Sequence, residues 1–437
     1  MSSINKDTDS APSQSIGLID ASSIMIGVII GVGVFESSPI IAASLPNNES
    51  VLGFWVIGAL LSVIGGMCFA ELSTTYPKEG GAYQYLNRSF GRPVGFLFAW
   101  ASMLVSRPGM IVAMAFPFAS YFYAAFPIGE EVLSPKAAKL TLAITSIVIL
   151  SIINIIGVKA STRTQNLLTL IKILGITLVL FLPFFHSGEP AIKQEVSNSA
   201  NYGLALILVL FAFGGWSEVT LFASEVRNPQ KNLSRSIFLA IAIVAILYIS
   251  LNAVFLEILG LGGLSTSQAA ATDAVNAVGF GGNFISALIC LCALGAVNGT
   301  IMAGARVSYV LGEDHPCFKF LSGWSDKTGT PVKALSVQCI LCVLVALLTG
   351  SFDKAVIYAT AVVWLFYLLC GIAVILLRIK EKNRERPYKV PFYPVVPIAF
   401  CASCVYLIYS AFDYDTKGSL IAFGLTILGL VFYRPKK

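Results

Sequence analysis

Long apolar runs recur along the whole chain, and about 20 consecutive apolar residues is the length a helix needs to cross the hydrocarbon of a bilayer. Such runs occupy residues 17–44, 51–75, 93–126, 137–157, 164–186, 202–224, 235–261, 282–312, 331–350, 353–379, 392–412 and 417–433. With 56% hydrophobic and only 12% charged residues, and a mean hydropathy of +0.81, the chain lacks the polar side chains to coat a soluble surface of this size. The sequence therefore predicts an all-α membrane protein with twelve transmembrane helices. Its first fifteen residues are polar and lack the charged-then-apolar design of a cleaved signal, so they predict a disordered tail.

An even number of spans puts both termini on one side. Of the 29 Lys and Arg, only Lys136, Lys139, Lys193, Lys354 and Lys417 fall in loops on the opposite side. Arg107, Lys172 and Arg306 fall within spans, and all the others lie with the termini. The positive-inside rule then makes both termini cytoplasmic in a multi-pass protein of the cell membrane. The net charge of +6 reflects this topology rather than nucleic-acid binding. The basic run RIKEKNRERPYKV, from Arg378, also fits contact with anionic headgroups.

Two spans carry glycines where a membrane helix needs its internal hydrogen bonds. The first contains GVIIGVGVFESSP, with Gly27, Gly31 and Gly33; the sixth contains FAFGGWSEVTLF, with Gly214 and Gly215. The first run fits either a small-residue packing face or a broken helix. A broken helix in a bilayer is tolerated only where its bare peptide groups face protein or a polar cavity. If spans one to five and six to ten are two units of one design, the odd number five inverts the second. Paired breaks at matching places are then the mark of a midplane transporter site. The corresponding divisions are 16–190 for the first repeat, 200–380 for the second, and 390–437 for two added helices with a short tail.

Other chemistries find little support. The nine cysteines lie mostly in apolar runs, and His186 and His315 are the only histidines, so neither CILC from Cys339 nor CASC from Cys401 has partners for a metal. No cofactor is expected. No nucleophile elbow and no phosphate-binding glycine loop argue for an enzyme. A channel would need a continuous polar pore.

Several motifs taken in order resemble the amino acid, polyamine and organocation superfamily, and within it the L-type amino acid transporters. They are Gly31-Val32-Gly33-Val34-Phe35, AELSTTYPKEGGAYQY from Ala70, Arg107-Pro108, VKASTRTQNLLTLIK ending at Lys172, FAFGGW from Phe211, GAVNGTIMAGAR ending at Arg306, and ERPYKVP from Glu385. The resemblance implies a LeuT-type 5+5 inverted repeat plus two helices, and transport of amino acids by alternating access, as an exchanger or with protons.

Carried onto this sequence, it implies a substrate site of Ile29, Gly31, Val32, Gly33, Val34, Phe211, Gly214 and Gly215. The substrate carboxylate would meet the N–H groups of Val32, Gly33 and Val34, the positive start of a half-helix. The ammonium would meet the carbonyls of Ile29, Phe211 and Gly214, with Phe211 closing over the solute as a gate. Lys172 would place its ammonium where sodium-coupled relatives hold their ion, near Gly27 and Val28, which implies sodium independence. Val32 departs from the serine common in the superfamily and removes a hydroxyl contact.

Glu36 and Glu218 follow the two breaks, and a carboxylate at membrane depth is expensive enough to suggest function. They are expected to line one vestibule, to serve in proton coupling, or to draw in a cationic side chain; a polyamine or cationic amino acid carrier is the alternative reading. Arg107-Pro108 predicts a kink with Arg107 turned to protein or water. Ser22, Ser23 and Asn298 fit interhelical hydrogen bonds, and Arg306 a snorkelling cation. The amphipathic link from Pro77 to Arg92 predicts a segment that moves between states. With no cysteine on an opposite-side loop, a disulfide to an accessory subunit is not expected; the lipid bilayer and a small solute are the partners.

Overall fold

The computed structural model describes residues 17–31, 33–77, 81–126, 134–156, 176–185, 200–218, 220, 223, 226–325, 328 and 330–433. Helices α1 (Leu18–Ile29) and α2 (Gly33–Ala43) make up the first span, interrupted where the glycines predict. Then come α3 (Asn48–Thr75), α4 (Ala82–Phe90), α5 (Arg92–Ala101), α6 (Arg107–Ala125) and α7 (Pro135–Ile156). The second part holds α8 (Tyr202–Ala212), α9 (Pro229–Thr266), α10 (Ala270–Ala277), α11 (Asn283–Asp314), α12 (Val332–Thr349), α13 (Phe352–Lys380), α14 (Val395–Tyr414) and α15 (Thr416–Phe432). Eight helices among the described residues are long and apolar enough to cross a membrane, with α8 and α15 shorter apolar ones. Most of the predicted fifth span, with Lys172, lies outside the described residues, as does Val32.

Local chemistry sets the ends. Asn47 caps α3 by accepting from the Ser50 N–H at 2.8 Å, and Asn201 caps α8 by accepting from Leu204 at 3.0 Å. Pro229 opens α9, where its missing N–H would have had no partner. Ile149, Ile152 and Ile156 on α7, and Ile340, Leu344 and Leu347 on α12, stand exposed in rows that only lipid would cover. Inside, helices approach through small residues. A side chain on Gly66 of α3 would meet Ile237 and Ile241 of α9 at 3.0 Å, and one on Gly109 of α6 would meet Ala359 of α13 at 2.7 Å.

The predicted kink at Arg107-Pro108 takes the form of a π turn, Ser102–Ser106, inserted between α5 and α6. Proline at position 108 cannot donate to Leu104, and the Tyr358 hydroxyl donates to that carbonyl instead, at 3.4 Å. The 34 residues from Arg92 to Ala125 still form one span. It puts α4 and the start of α7 at opposite ends of the bundle.

At the α4 end a dense ionic clasp ties two sequence motifs together. Glu71 of AELSTTY, 3% exposed, accepts from Arg378 Nε at 2.7 Å and Nη2 at 2.5 Å and from the Val390 N–H at 2.7 Å. Arg386 of ERPYKVP adds a second cation at 3.5 Å. Beside it, Glu381 accepts from Arg88 Nε of α4 at 2.5 Å and from the Tyr76 hydroxyl at 3.0 Å. The Arg88 guanidinium holds the Glu381 carboxyl below its ordinary range. Ser22, expected to bond between helices, instead donates to Leu18 of its own helix at 2.8 Å, since that carbonyl is one turn back and always within reach. Asn298 does bond across helices, accepting from Asn154 at 2.8 Å.

Candidate functional site

The first break forms because the Gly31 N–H turns back to the Ile29 carbonyl, at 2.7 Å, rather than continuing the helix. Helix α2 restarts at Gly33, so the N–H groups of Gly33 and Val34 belong to a first turn, which has no intrahelical partners. The Ile29 carbonyl also accepts from the Tyr248 hydroxyl of α9 at 2.9 Å. Tyr248 is fixed in turn between Trp55 and Phe213, with ring centroids at 5.6 and 5.5 Å.

The second break follows α8. Phe213 still reaches Val209 at 3.0 Å, but the Gly214 N–H donates to Phe211 at 2.9 Å and the chain leaves the helix. Two glycines are needed here. A side chain on Gly214 would lie 2.9 Å from the Phe211 carbonyl, and Gly215 has a φ of 110°, which side chains disfavour. The Gly214 carbonyl accepts no hydrogen bond among the described residues. The Phe211 carbonyl accepts from the Phe213 and Gly214 N–H groups, and the Ile29 carbonyl from Gly31 and Tyr248.

These breaks meet. A methyl group placed on Gly33 would come within 3.1 Å of the Phe211 ring, which is 4% exposed and packs edge-on against Phe352 of α13 at 5.7 Å. Bare donors of one helix thus stand beside the aromatic ring at the break of the other.

Glu36 and Glu218 do not share a vestibule. Glu36 lines a cavity of about 350 Å³ at the α7 end, where its carboxylate accepts from Ser120 at 2.8 Å and shares the walls with Lys139, Phe352 and Asp353. Glu218 lines a cavity of about 70 Å³ toward the α4 end, with Ser106, Arg107, Ser217 and Tyr367. The expectation fails because α2 runs from its break toward the α7 end, whereas the chain leaving the second break runs toward the α4 end. Arg107 pairs with Glu218, Nη2 lying 3.2 and 3.3 Å from its two oxygens. Ser217 and Tyr367 share a hydrogen bond of 2.6 Å beside them.

The amino acid permease family model matches residues 16–432, almost from end to end. The chain belongs to the amino acid permease family. It is an integral multi-pass membrane transporter and not an enzyme. Relatives span its length. The serine/threonine exchanger SteT of Bacillus subtilis (strain 168) is 30% identical over 438 residues, 98% of each chain. The b(0,+)-type amino acid transporter 1 of Homo sapiens is 30% identical over 432 residues, covering 96% of this permease and 87% of the relative. The large neutral amino acids transporter small subunit 2 of Mus musculus is 28% identical over 407 residues, covering 89% and 75%.

Several residues around the permease's breaks carry no sequence signal. Tyr248 sits in an apolar run where a tyrosine reads as an ordinary core aromatic, and Tyr367 likewise. Arg107 and Glu218 are each conspicuous alone, but nothing local predicts their pairing across 111 residues. None of the nine cysteines is in a disulfide, and the described residues hold no cluster of potential metal ligands.

Proposed function

We propose that this permease carries neutral α-amino acids by alternating access, without sodium, holding the zwitterion between its two helix breaks. The carboxylate takes the N–H groups of Val32, Gly33 and Val34; the ammonium takes the carbonyls of Gly214, Phe211 and Ile29. Gly31 and Gly215 are the turns that aim these groups, and Phe211 is the gate. One observation carries the reading: Gly33, at the start of α2, lies against the Phe211 ring of the second break. Opposite ends of two helix dipoles placed this way suit a solute bearing both charges a few bonds apart.

The two cavities support alternation, since the larger opens toward the α7 end while the ionic clasp of Glu71 and Glu381 closes the α4 end. By the distribution of Lys and Arg the α4 end is cytoplasmic, so this form faces outward. Lys172, in the segment outside the described residues, stands in for a coupling cation. Glu36 is the coupling carboxylate if protons drive uptake. Relatives named for serine/threonine and for large neutral amino acids favour neutral substrates over polyamines. The small-subunit relative is named as part of an assembly; this chain is proposed to work alone.

Counterflow in proteoliposomes tests the reading. Vesicles loaded with unlabelled serine or leucine should accumulate the labelled amino acid transiently and saturably. Single-channel currents without saturation would replace the carrier by a pore.

A further inference from the structure

We propose that Arg107 and Glu218 form a second zwitterion station beyond the helix breaks, an ion pair that a permeating α-amino acid opens and replaces on its way to the α4 end. The inference rests on the substrate reading above and extends it to two residues that this reading leaves without a task.

The position fits a station on the path. Glu218 hangs from the second break itself, its N–H donating to Gly215 at 3.0 Å, while Arg107 begins α6 directly after the π turn. Both face the small cavity, with side chains 16% and 23% exposed. A space of about 70 Å³ holds roughly two waters, so the pair closes this route until something displaces it.

The geometry of the pair is slack. One nitrogen, Nη2, serves both carboxylate oxygens at 3.2 and 3.3 Å, where a tight charge-assisted bond is about 2.7–2.9 Å. The remaining donors of the Arg107 guanidinium have no hydrogen-bond partner among the described residues. Glu71 shows what a fastening pair looks like in this protein: a two-pronged arginine, a backbone N–H and a second arginine, all on a carboxylate 3% exposed. Arg107 and Glu218 lack every one of these reinforcements.

A guanidinium with an unused edge accepts a second carboxylate before it releases the first. An amino acid arriving from the breaks puts its carboxylate on Arg107 and its ammonium on Glu218. The four charges then alternate in sign, and each keeps an opposite neighbour. A primary amine leaves Arg107 unanswered, and a simple carboxylic acid leaves Glu218 unanswered; each would hold an uncompensated charge in a poorly hydrated space. The station thus selects solutes with both groups free.

The neutral pair R107Q/E218Q and the reversed pair R107E/E218R test this in the full-length protein. Exchange of labelled L-serine and L-leucine in proteoliposomes reads passage. Thermal stabilisation of the same variants by the same amino acids in detergent reads binding at the breaks. The neutral pair should keep its stabilisation while its exchange kcat falls about tenfold or more, and the reversed pair should recover at least about a third of the wild-type rate. A neutral pair that exchanges at the wild-type rate, or a reversed pair no faster than the neutral one, would overturn the proposal. If the neutral pair does not fold, R107K carries the test: it keeps the charge but not the open edge, and exchange at the wild-type rate would count against the station. Loss of stabilisation and exchange in the wild type itself would instead remove the substrate reading, and the station with it.

Discussion

Replacing Gly33 by alanine probes the contact between the two breaks with a single methyl group. That methyl would sit 3.1 Å from Phe211 Cε1 and 3.5 Å from Cδ1, whereas carbon atoms rest at about 3.5–4.0 Å. The ring must therefore retreat by a few tenths of an ångström, yet it is 4% exposed and backed by Phe352 at 5.7 Å. Overpacking of this kind costs about 1–2 kcal/mol, equivalent to about 5- to 30-fold in affinity. Calorimetric titration with the best-binding amino acid should show that loss in Gly33→Ala. In a Phe211→Leu background the methyl meets no ring, and the added loss should shrink below about threefold, a coupling of about 0.3 kcal/mol or more. An alanine effect of the same size in both backgrounds would refute the claim that the breaks meet at these residues.

Other consequences follow from named contacts. Glu71→Gln leaves Arg378 and Arg386 without their buried counter-charge and should destabilise the protein by about 3–5 kcal/mol, read as a large drop in thermal midpoint in detergent; a wild-type midpoint would mean that the clasp is ornamental. Uptake should be unchanged when choline replaces sodium, and collapse on that replacement would remove the role given to Lys172. The Glu381 carboxyl, held low by Arg88, contributes above its unfolded value of 4.5 and is lost only as pH falls through its lower folded value. Hydrogen exchange of residues 81–91, corrected for intrinsic rates, should therefore stay flat from about pH 8 to about pH 5. A loosening of that helix within this window would assign the clasp to another group.

The parts of this fold that local pattern dictates are visible in the sequence. Apolar runs give the spans, and Gly31-Val32-Gly33 and Gly214-Gly215 give the breaks at Ile29 and Ala212, because a helix interruption is decided by the residues at the interruption. The amphipathic link after Pro77 becomes α4 for the same reason. Long-range geometry is not visible. Glu36 and Glu218 occupy equivalent places after their breaks, and equivalence suggested one vestibule; the antiparallel run of the two half-spans sends them to different cavities instead. Tyr248 reaches Ile29 across 219 residues, and only packing on Trp55 and Phe213 brings it there. Arg107-Pro108 announced a kink, but that the kink would be a π turn with Tyr358 answering Leu104 depends on a helix more than 200 positions away.

Equilibrium binding of three matched solutes tests the central claim most directly: the best-binding amino acid, its decarboxylated amine, and its deaminated acid, each titrated into the purified protein. Charged hydrogen bonds are worth about 1.5–3 kcal/mol each, so loss of either group should weaken binding about 10- to 150-fold. An amine or acid that binds as tightly as the parent amino acid would contradict a zwitterion gripped between residues 32–34 and 214.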